Sequence, residues 1–110
     1  MQPFPRTVVV YQDARGREPF TDWLGHQEHV VRSVVLRRLG RVADGLLGDV
    51  KPVGDGVHEL RFNLGAGYRV YLGLDGAVVV VILCAGDKGS QRRDIARAKT
   101  CWQDYLEAKR

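Results

Sequence analysis

Cysteine is scarce in this sequence, and its scarcity narrows the possible chemistry. There are only two, Cys84 and Cys101, and neither belongs to a CxxC or a Cys/His spacing. Cys84 lies inside an apolar run and Cys101 precedes Trp102, so we expect both to be small buried side chains in a reducing compartment. A zinc site is therefore not expected.

Long apolar segments are also missing. The longest run, Ala77 to Ala85 (AVVVVILCA), is about half the length that a membrane-spanning helix requires. The opening MQPFPRTVVVYQDARG has no long apolar segment behind a basic start, so a secretory signal is not expected either. These absences predict a cytoplasmic protein with no membrane partner.

What the sequence does contain is the composition of an ordinary globular protein with an excess of positive charge. Its 110 residues suit one hydrophobic core, and 45% hydrophobic with 27% charged residues is typical of such proteins. The net charge is +4. A basic balance favours polyanionic partners, although it also occurs in small proteins with no nucleic-acid role.

Apolar periodicity predicts the element order β-α-α-β-β-β-α. Strands are expected over residues 6–11, 58–62, 68–72 and 78–84, and helices over 18–25, 28–47 and 91–108. The last strand is apolar on both faces, so it should be covered on both sides. The segment 48–56 (GDVKPVGDG) is rich in Gly, Pro and Asp and is predicted to be a loop. The second helix also carries a basic face, expected to be solvated, that consists of Arg37, Arg38 and Arg41.

Two arginines oppose each other in the hairpin predicted over residues 57–72. The expected register places Arg61 opposite Arg69 and Glu59 opposite Tyr71, with all four on one face that meets solvent or a cleft. Directly opposed like charges are destabilising, so something should offset the repulsion. Glu59 can do so diagonally, and so can a bound phosphate, whose oxygens match guanidinium forks. The residues alone leave both explanations open.

The segment GDVKPVGDGVHELRFNLGAGYRVYLG, followed by LCAGDKGSQRRDIARAK, resembles the RelE/ParE toxin superfamily. Within the superfamily it is similar to the HigB-like, phage-derived "addiction module killer" branch. The matching signatures are Lys51-Pro52, Glu59-Leu60-Arg61, Gly67-Tyr68-Arg69-Val70-Tyr71, Gly86-Asp87-Lys88 and Asp94-Ile95-Ala96. The resemblance implies a single RelE-like α+β domain over residues 1–110, with a mainly antiparallel four-stranded sheet packed by helices.

The resemblance also implies a function, that of a type II toxin encoded beside a helix-turn-helix antitoxin. RelE-like members cleave mRNA on the ribosome without a metal or another cofactor. In that reaction the ribose 2′-hydroxyl attacks the adjacent phosphate and leaves a 2′,3′-cyclic phosphate. ParE-like members inhibit DNA gyrase instead, and a third alternative is an inactive module that only binds its antitoxin. The free toxin is expected to be monomeric.

For a nuclease, the resemblance implies Arg61, Arg69, Tyr71 and Lys88 as catalytic residues. The arginines suit the charge of the phosphorane. Tyr71 would stack on a base or donate a proton, and Lys88 would contact phosphate or act as acid or base. The RNA-binding candidates are Lys51, Arg92, Arg93 and Arg97. The last three crowd the start of the final helix, where positive charge is unfavourable to the helix dipole, and an external anion or an acidic antitoxin segment would explain it.

Overall fold

The computed structural model describes residues 4–109, which contain five strands and three helices. The strands are β1 (Thr7–Val10), β2 (Val50–Gly54), β3 (Val57–Arg61), β4 (Arg69–Asp75) and β5 (Val79–Gly86). The helices are α1 (Pro19–Gly25), α2 (His29–Ala43) and α3 (Gln91–Ala108), and a short 3-10 turn over Lys88–Ser90 precedes α3. The predicted domain limits also include residues 1–3 and 110, which lie outside the described residues.

All five strands belong to one mixed sheet in the order β1-β5-β4-β3-β2. β1 runs parallel to β5, and the other three pairings are antiparallel. The α+β class is confirmed, but the predicted strand count of four is wrong because the segment 48–56, predicted to be a loop, contains β2. Pro52 is compatible with this strand, since a proline on a sheet edge need not donate to the ladder.

The second helix follows its apolar stripe closely. Its buried side chains, Val31, Val35, Leu39 and Val42, recur at the helical spacing of three and four. The same spacing also predicts Leu46 in this stripe, but Leu46 lies beyond the end of the helix and is exposed. The helix ends earlier than predicted because Gly45 adopts a φ of 87°, a left-handed conformation that terminates helices. No helix within residues 4–109 is both long enough and apolar enough to cross a membrane.

Helices cover both faces of the sheet, and each face has its own hydrophobic cluster. Helices α1 and α2 pack on one face, where Val80 and Ile82 of β5 are buried. Helix α3 packs on the other face, where Val81 is buried with Trp102. Trp102 lies so close to Gly73 that a Cβ there would overlap its ring. The prediction that the last strand is covered on both sides is confirmed.

Candidate functional site

The two hairpin arginines oppose each other as predicted. In the β3–β4 ladder Arg61 pairs with Arg69, and Glu59 pairs with Tyr71. Side chains directly opposite each other in an antiparallel pair share a face, so the four polar side chains lie together on one side of the hairpin. This is the side on which α3 packs, because Tyr71 belongs to the same buried cluster as Trp102.

A buried carboxylate holds this group together. Glu59 is fully buried, and its Oε1 lies 3.4 Å from Nε of Arg69 and 3.6 Å from Nε of Arg61. Neither contact is a hydrogen bond, so the carboxylate holds both guanidinium groups through charge. Its other oxygen accepts hydrogen bonds from the Tyr71 hydroxyl at 3.0 Å and from Nε2 of Gln91 at 2.9 Å. Of the two explanations for the arginine pair, the diagonal carboxylate is therefore present.

The prediction that this polar face meets solvent or a cleft is wrong for Tyr71, and also for Glu59. The Tyr71 side chain is fully buried. Its burial, with the neighbouring Glu59 carboxylate as a second cause, raises the pKa of Tyr71 well above its usual value. A phenol in this position is covered by α3 and cannot stack on a base. Its contact with Glu59 instead places it behind the arginine pair.

Beyond the buried carboxylate, the end of the hairpin opens into a cleft of about 310 Å³. We call it the arginine cleft; its lining residues are Asp49, Arg61, Phe62, Asn63, Gly67, Tyr68 and Arg69. The Arg61 side chain is 40% exposed, whereas that of Arg69 is only 7% exposed. Nη1 of Arg69 donates to the carbonyl of Gly67 at 3.1 Å. The buried charge of Arg69 and the more exposed charge of Arg61 therefore both border this cleft.

Lys88 lies at the rim of the arginine cleft. Its backbone amide donates to the carbonyl of Ala66 at 3.3 Å. Its side chain packs against Gly67, where an added Cβ would lie 3.3 Å from that of Lys88. The loop before α3 is thus docked on the hairpin turn, and the exposed Lys88 packs on Gly67, the residue whose carbonyl accepts from Arg69, although it is distant in sequence.

The structure places the four predicted RNA-binding residues in different parts of the surface. Arg93 and Arg97 line a second cleft of about 510 Å³, which we call the tryptophan cleft. Its lining residues are Trp23, Ala85, Gly86, Asp87, Ser90, Arg93, Asp94 and Arg97. Arg92 is exposed but lines neither cleft, and Lys51 is exposed on β2 opposite Glu59, also outside both.

Sequence reasoning missed the role of Arg38, which was expected to be solvated. Its guanidinium donates to the backbone carbonyls of Arg61 at 2.6 Å, Leu47 at 3.1 Å and Asp49 at 2.9 Å. It also lies 4.8 Å from the centre of the Phe62 ring, and desolvation lowers the pKa of Arg38. Arg38 therefore fixes one wall of the arginine cleft. No local pattern could reveal contacts between backbone groups so far apart in sequence.

In the part of the chain that the structure describes, neither cleft has the clustered ligands of a metal site. Within residues 4–109, no group of three or more His, Cys, Asp or Glu side chains is placed to hold a metal ion. Cys84 and Cys101 are both free and buried, as predicted. Burial raises the pKa of Cys84 to about 12, so its thiol stays protonated at neutral pH.

The fold and the site together define an α+β protein in which a buried carboxylate holds an arginine pair beside a cleft. No family model matches the chain. An uncharacterized protein of Haemophilus influenzae is 41% identical over 86 residues, which cover 77% of this chain and 87% of that relative. At this identity and coverage, the chain belongs to the same family as the Haemophilus influenzae protein.

Proposed function

We propose that this chain is the toxin of a type II toxin–antitoxin system, with a RelE-like topology, and that it cleaves mRNA on the ribosome. The observation that carries the proposal is the arginine cleft. Two guanidinium groups are held side by side there by Glu59, with Lys88 at the rim. A fixed cluster of positive charge of this kind suits the negative charge that develops on a phosphorane.

The arrangement is hard to explain by stability alone. Opposing two arginines across a ladder is unfavourable, and burying an ion pair contributes little net stability compared with apolar side chains of similar size. A site that needs preorganised positive charge benefits from both features, because the arginines need not move when an anion binds. This reasoning supports an anion-binding role for Arg61 and Arg69.

The proposed reaction is transfer of the phosphate from the 5′-oxygen to the 2′-oxygen. We assign the general base to Asp49, whose exposed carboxylate lines the arginine cleft and forms no hydrogen bond or ion pair with residues 4–109. As the proton of the 2′-hydroxyl passes to Asp49, the bond from O2′ to phosphorus forms and the bond from phosphorus to O5′ breaks. Lys88 donates the proton that the leaving 5′-oxygen takes up. Arg61 and Arg69 hold the non-bridging oxygens.

The proposed partners follow from this function. The chain acts in the cytoplasm on ribosome-bound mRNA, and a helix-turn-helix antitoxin from an adjacent gene neutralises it. Tyr71 and Glu59 do not touch the RNA in this scheme; they position Arg69 and Arg61. The products are one RNA with a 2′,3′-cyclic phosphate and one with a 5′-hydroxyl.

The test is growth after induction of the chain, with mRNA 5′ ends mapped in the same cultures. Arg61→Ala and Asp49→Asn are the informative variants, since both side chains are accessible, and Arg15→Ala, in an exposed loop, is the matched control. We expect arrest with cuts inside translated codons for the wild type and the control, and relief in both site variants. Growth arrest without mRNA cuts would refute the nuclease activity, and linearised DNA in those cells would indicate gyrase inhibition. Absence of growth arrest would refute the proposal that the chain is a toxin.

A further inference from the structure

The arginine cleft and the tryptophan cleft are neighbours that share an aromatic ridge. Tyr68 lines the first cleft and Trp23 lines the second. Their ring centres are 6.1 Å apart, with the ring planes inclined at 67°. The 3-10 turn Lys88–Ser90 borders both clefts, because Lys88 packs on Gly67 of the first while Ser90 lines the second. A chain that leaves one cleft can therefore enter the other directly.

Trp23 forms a firm aromatic wall in the second cleft. Its side chain is partly buried against the α1–α2 face of the sheet, and it stacks on the buried Phe20 with ring centres 6.2 Å apart and planes inclined at 28°. The side-chain amide of Gln27 donates to the backbone carbonyl of Trp23 at 3.1 Å, which closes the end of α1. An indole fixed in this way and partly open to a cleft is suited to stacking on a nucleobase of any type.

The charges in the tryptophan cleft are arranged in two zones. Arg93 and Arg97 are both exposed, lie one helical turn apart and form no hydrogen bond or ion pair with residues 4–109. Asp94, by contrast, is buried and accepts a hydrogen bond from the Ser90 hydroxyl. Asp87 accepts from the backbone amide of Gly89 at 2.8 Å. The exposed zone therefore suits a phosphate, and the inner zone offers acceptors that suit the amino group of a base.

We infer that the tryptophan cleft binds one nucleotide of single-stranded RNA next to the nucleotide held in the arginine cleft. The base stacks on Trp23 with its amino edge toward Asp94, and the phosphate contacts Arg93 and Arg97. An acidic protein segment fits less well, because the inner carboxylates would repel it. The inference rests on the proposed function for its choice of RNA, and it extends that function by a subsite that selects single strands.

The test measures binding of a fluorescein-labelled oligo(A) pentanucleotide with 2′-O-methyl riboses, which cannot be cleaved because the attacking hydroxyl is blocked. Fluorescence anisotropy gives the affinity for the wild type, for Trp23→Leu and for the double variant Arg93→Gln/Arg97→Gln. The matched control is Arg15→Gln/Arg17→Gln, which removes the same charge from an exposed loop outside both clefts. Trp102 is only 6% exposed, so quenching of tryptophan fluorescence by unlabelled RNA reports on Trp23.

We expect Trp23→Leu to weaken binding about tenfold, the effect of losing one stacked base. The double arginine variant should also reduce the magnitude of the slope of log K against log salt by about 0.7, the value for one lost phosphate contact on a single strand. The control should bind within about twofold of the wild type, because charge remote from the site acts only through screened long-range attraction.

Equal binding by the double arginine variant and its control would overturn the inference, and that comparison does not depend on Trp23→Leu folding. An acidic peptide, oligo-glutamate, that competes with the RNA and loses affinity in the same variants would also overturn it. The failure of the proposed function is separate. If induced cells show no mRNA cuts while RNA binding still depends on Trp23, Arg93 and Arg97, the RNA-binding subsite is supported and the nuclease activity is refuted.

Discussion

Replacing Glu59 by glutamine tests what holds the arginine pair. The substitution removes a negative charge and keeps the size of the side chain. Oε1 of Glu59 lies 3.4 Å from Nε of Arg69, whose side chain is 7% exposed. At an effective dielectric constant of about 20, a pair of unit charges at this distance gains about 5 kcal/mol. The contact with Arg61 adds at most about 1 kcal/mol, because that side chain is 40% exposed and screened by water.

The expected loss in the free energy of unfolding for Glu59→Gln is about 3–5 kcal/mol, the usual effect of removing one partner of a buried ion pair. The hydrogen bonds add little to this loss, since the amide oxygen of glutamine can still accept from Tyr71 and Gln91. The double variant Glu59→Gln/Arg69→Met removes both charges. It should regain much of the loss, because apolar replacement of a whole buried pair is often neutral.

Urea unfolding followed by far-UV circular dichroism measures these differences. Since a domain of this size has a stability of about 5–15 kcal/mol, Glu59→Gln should shift the midpoint far below that of the wild type or leave the protein unfolded. The double variant keeps the test decisive in the second case. A Glu59→Gln protein within about 1 kcal/mol of the wild type would refute the reasoning, and so would a double variant no more stable than Glu59→Gln.

Two further predictions concern the packing of α3 on the sheet. Gly73→Ala should lower the free energy of unfolding by about 1–3 kcal/mol, because the added methyl overlaps the Trp102 ring; an unchanged urea midpoint and near-UV spectrum would contradict it. Asp75→Asn should lower the midpoint at pH 7, and the difference should shrink in acid as protonation removes the charge of the Asp75 carboxylate. Hydrogen bonds from Lys109 and Tyr105 lower the pKa of Asp75 in the folded protein, so its contribution is present above the unfolded pKa and disappears as pH falls through the folded one. A wild-type-to-variant difference that persists in acid would count against this pairing.

Local periodicity predicted the parts of the fold that depend on local rules. The opposition of Arg61 and Arg69 follows from a period of two along each strand and from the position of the turn. The buried stripe of α2, from Val31 to Val42, follows from the helical period. Both predictions are confirmed because the position of a residue within its helix or strand sets the face on which its side chain lies, and tertiary contacts do not change these positions here.

The strand β2 could not be predicted in the same way. Its residues Val50–Gly54 lie among turn-forming residues, and Gly54, Asp55 and Gly56 all adopt positive φ angles of 100°, 55° and 83°. This tight turn to β3 gives the segment the composition of a loop. The pairing of β2 with β3 depends on backbone hydrogen bonds across this turn. A single sequence gives no direct indication of such hydrogen bonds where proline and glycine dominate the segment.

The burial of Tyr71, unlike the presence of β2, could have been predicted from the sequence of β5. Apolar residues on both faces of β5 predicted cover on both sides, and β4 is the neighbour of β5 in the sheet. A helix of 18 residues that covers the second face of β5 also reaches β4, and Tyr71 lies opposite Cys84. Gln91, at the start of α3, covers Glu59, whereas Arg61, two residues further along β3, is 40% exposed. Gln91 donates a hydrogen bond to the buried Glu59 carboxylate, and the same part of α3 forms one wall of the tryptophan cleft. The buried charge and both clefts therefore meet at the start of α3.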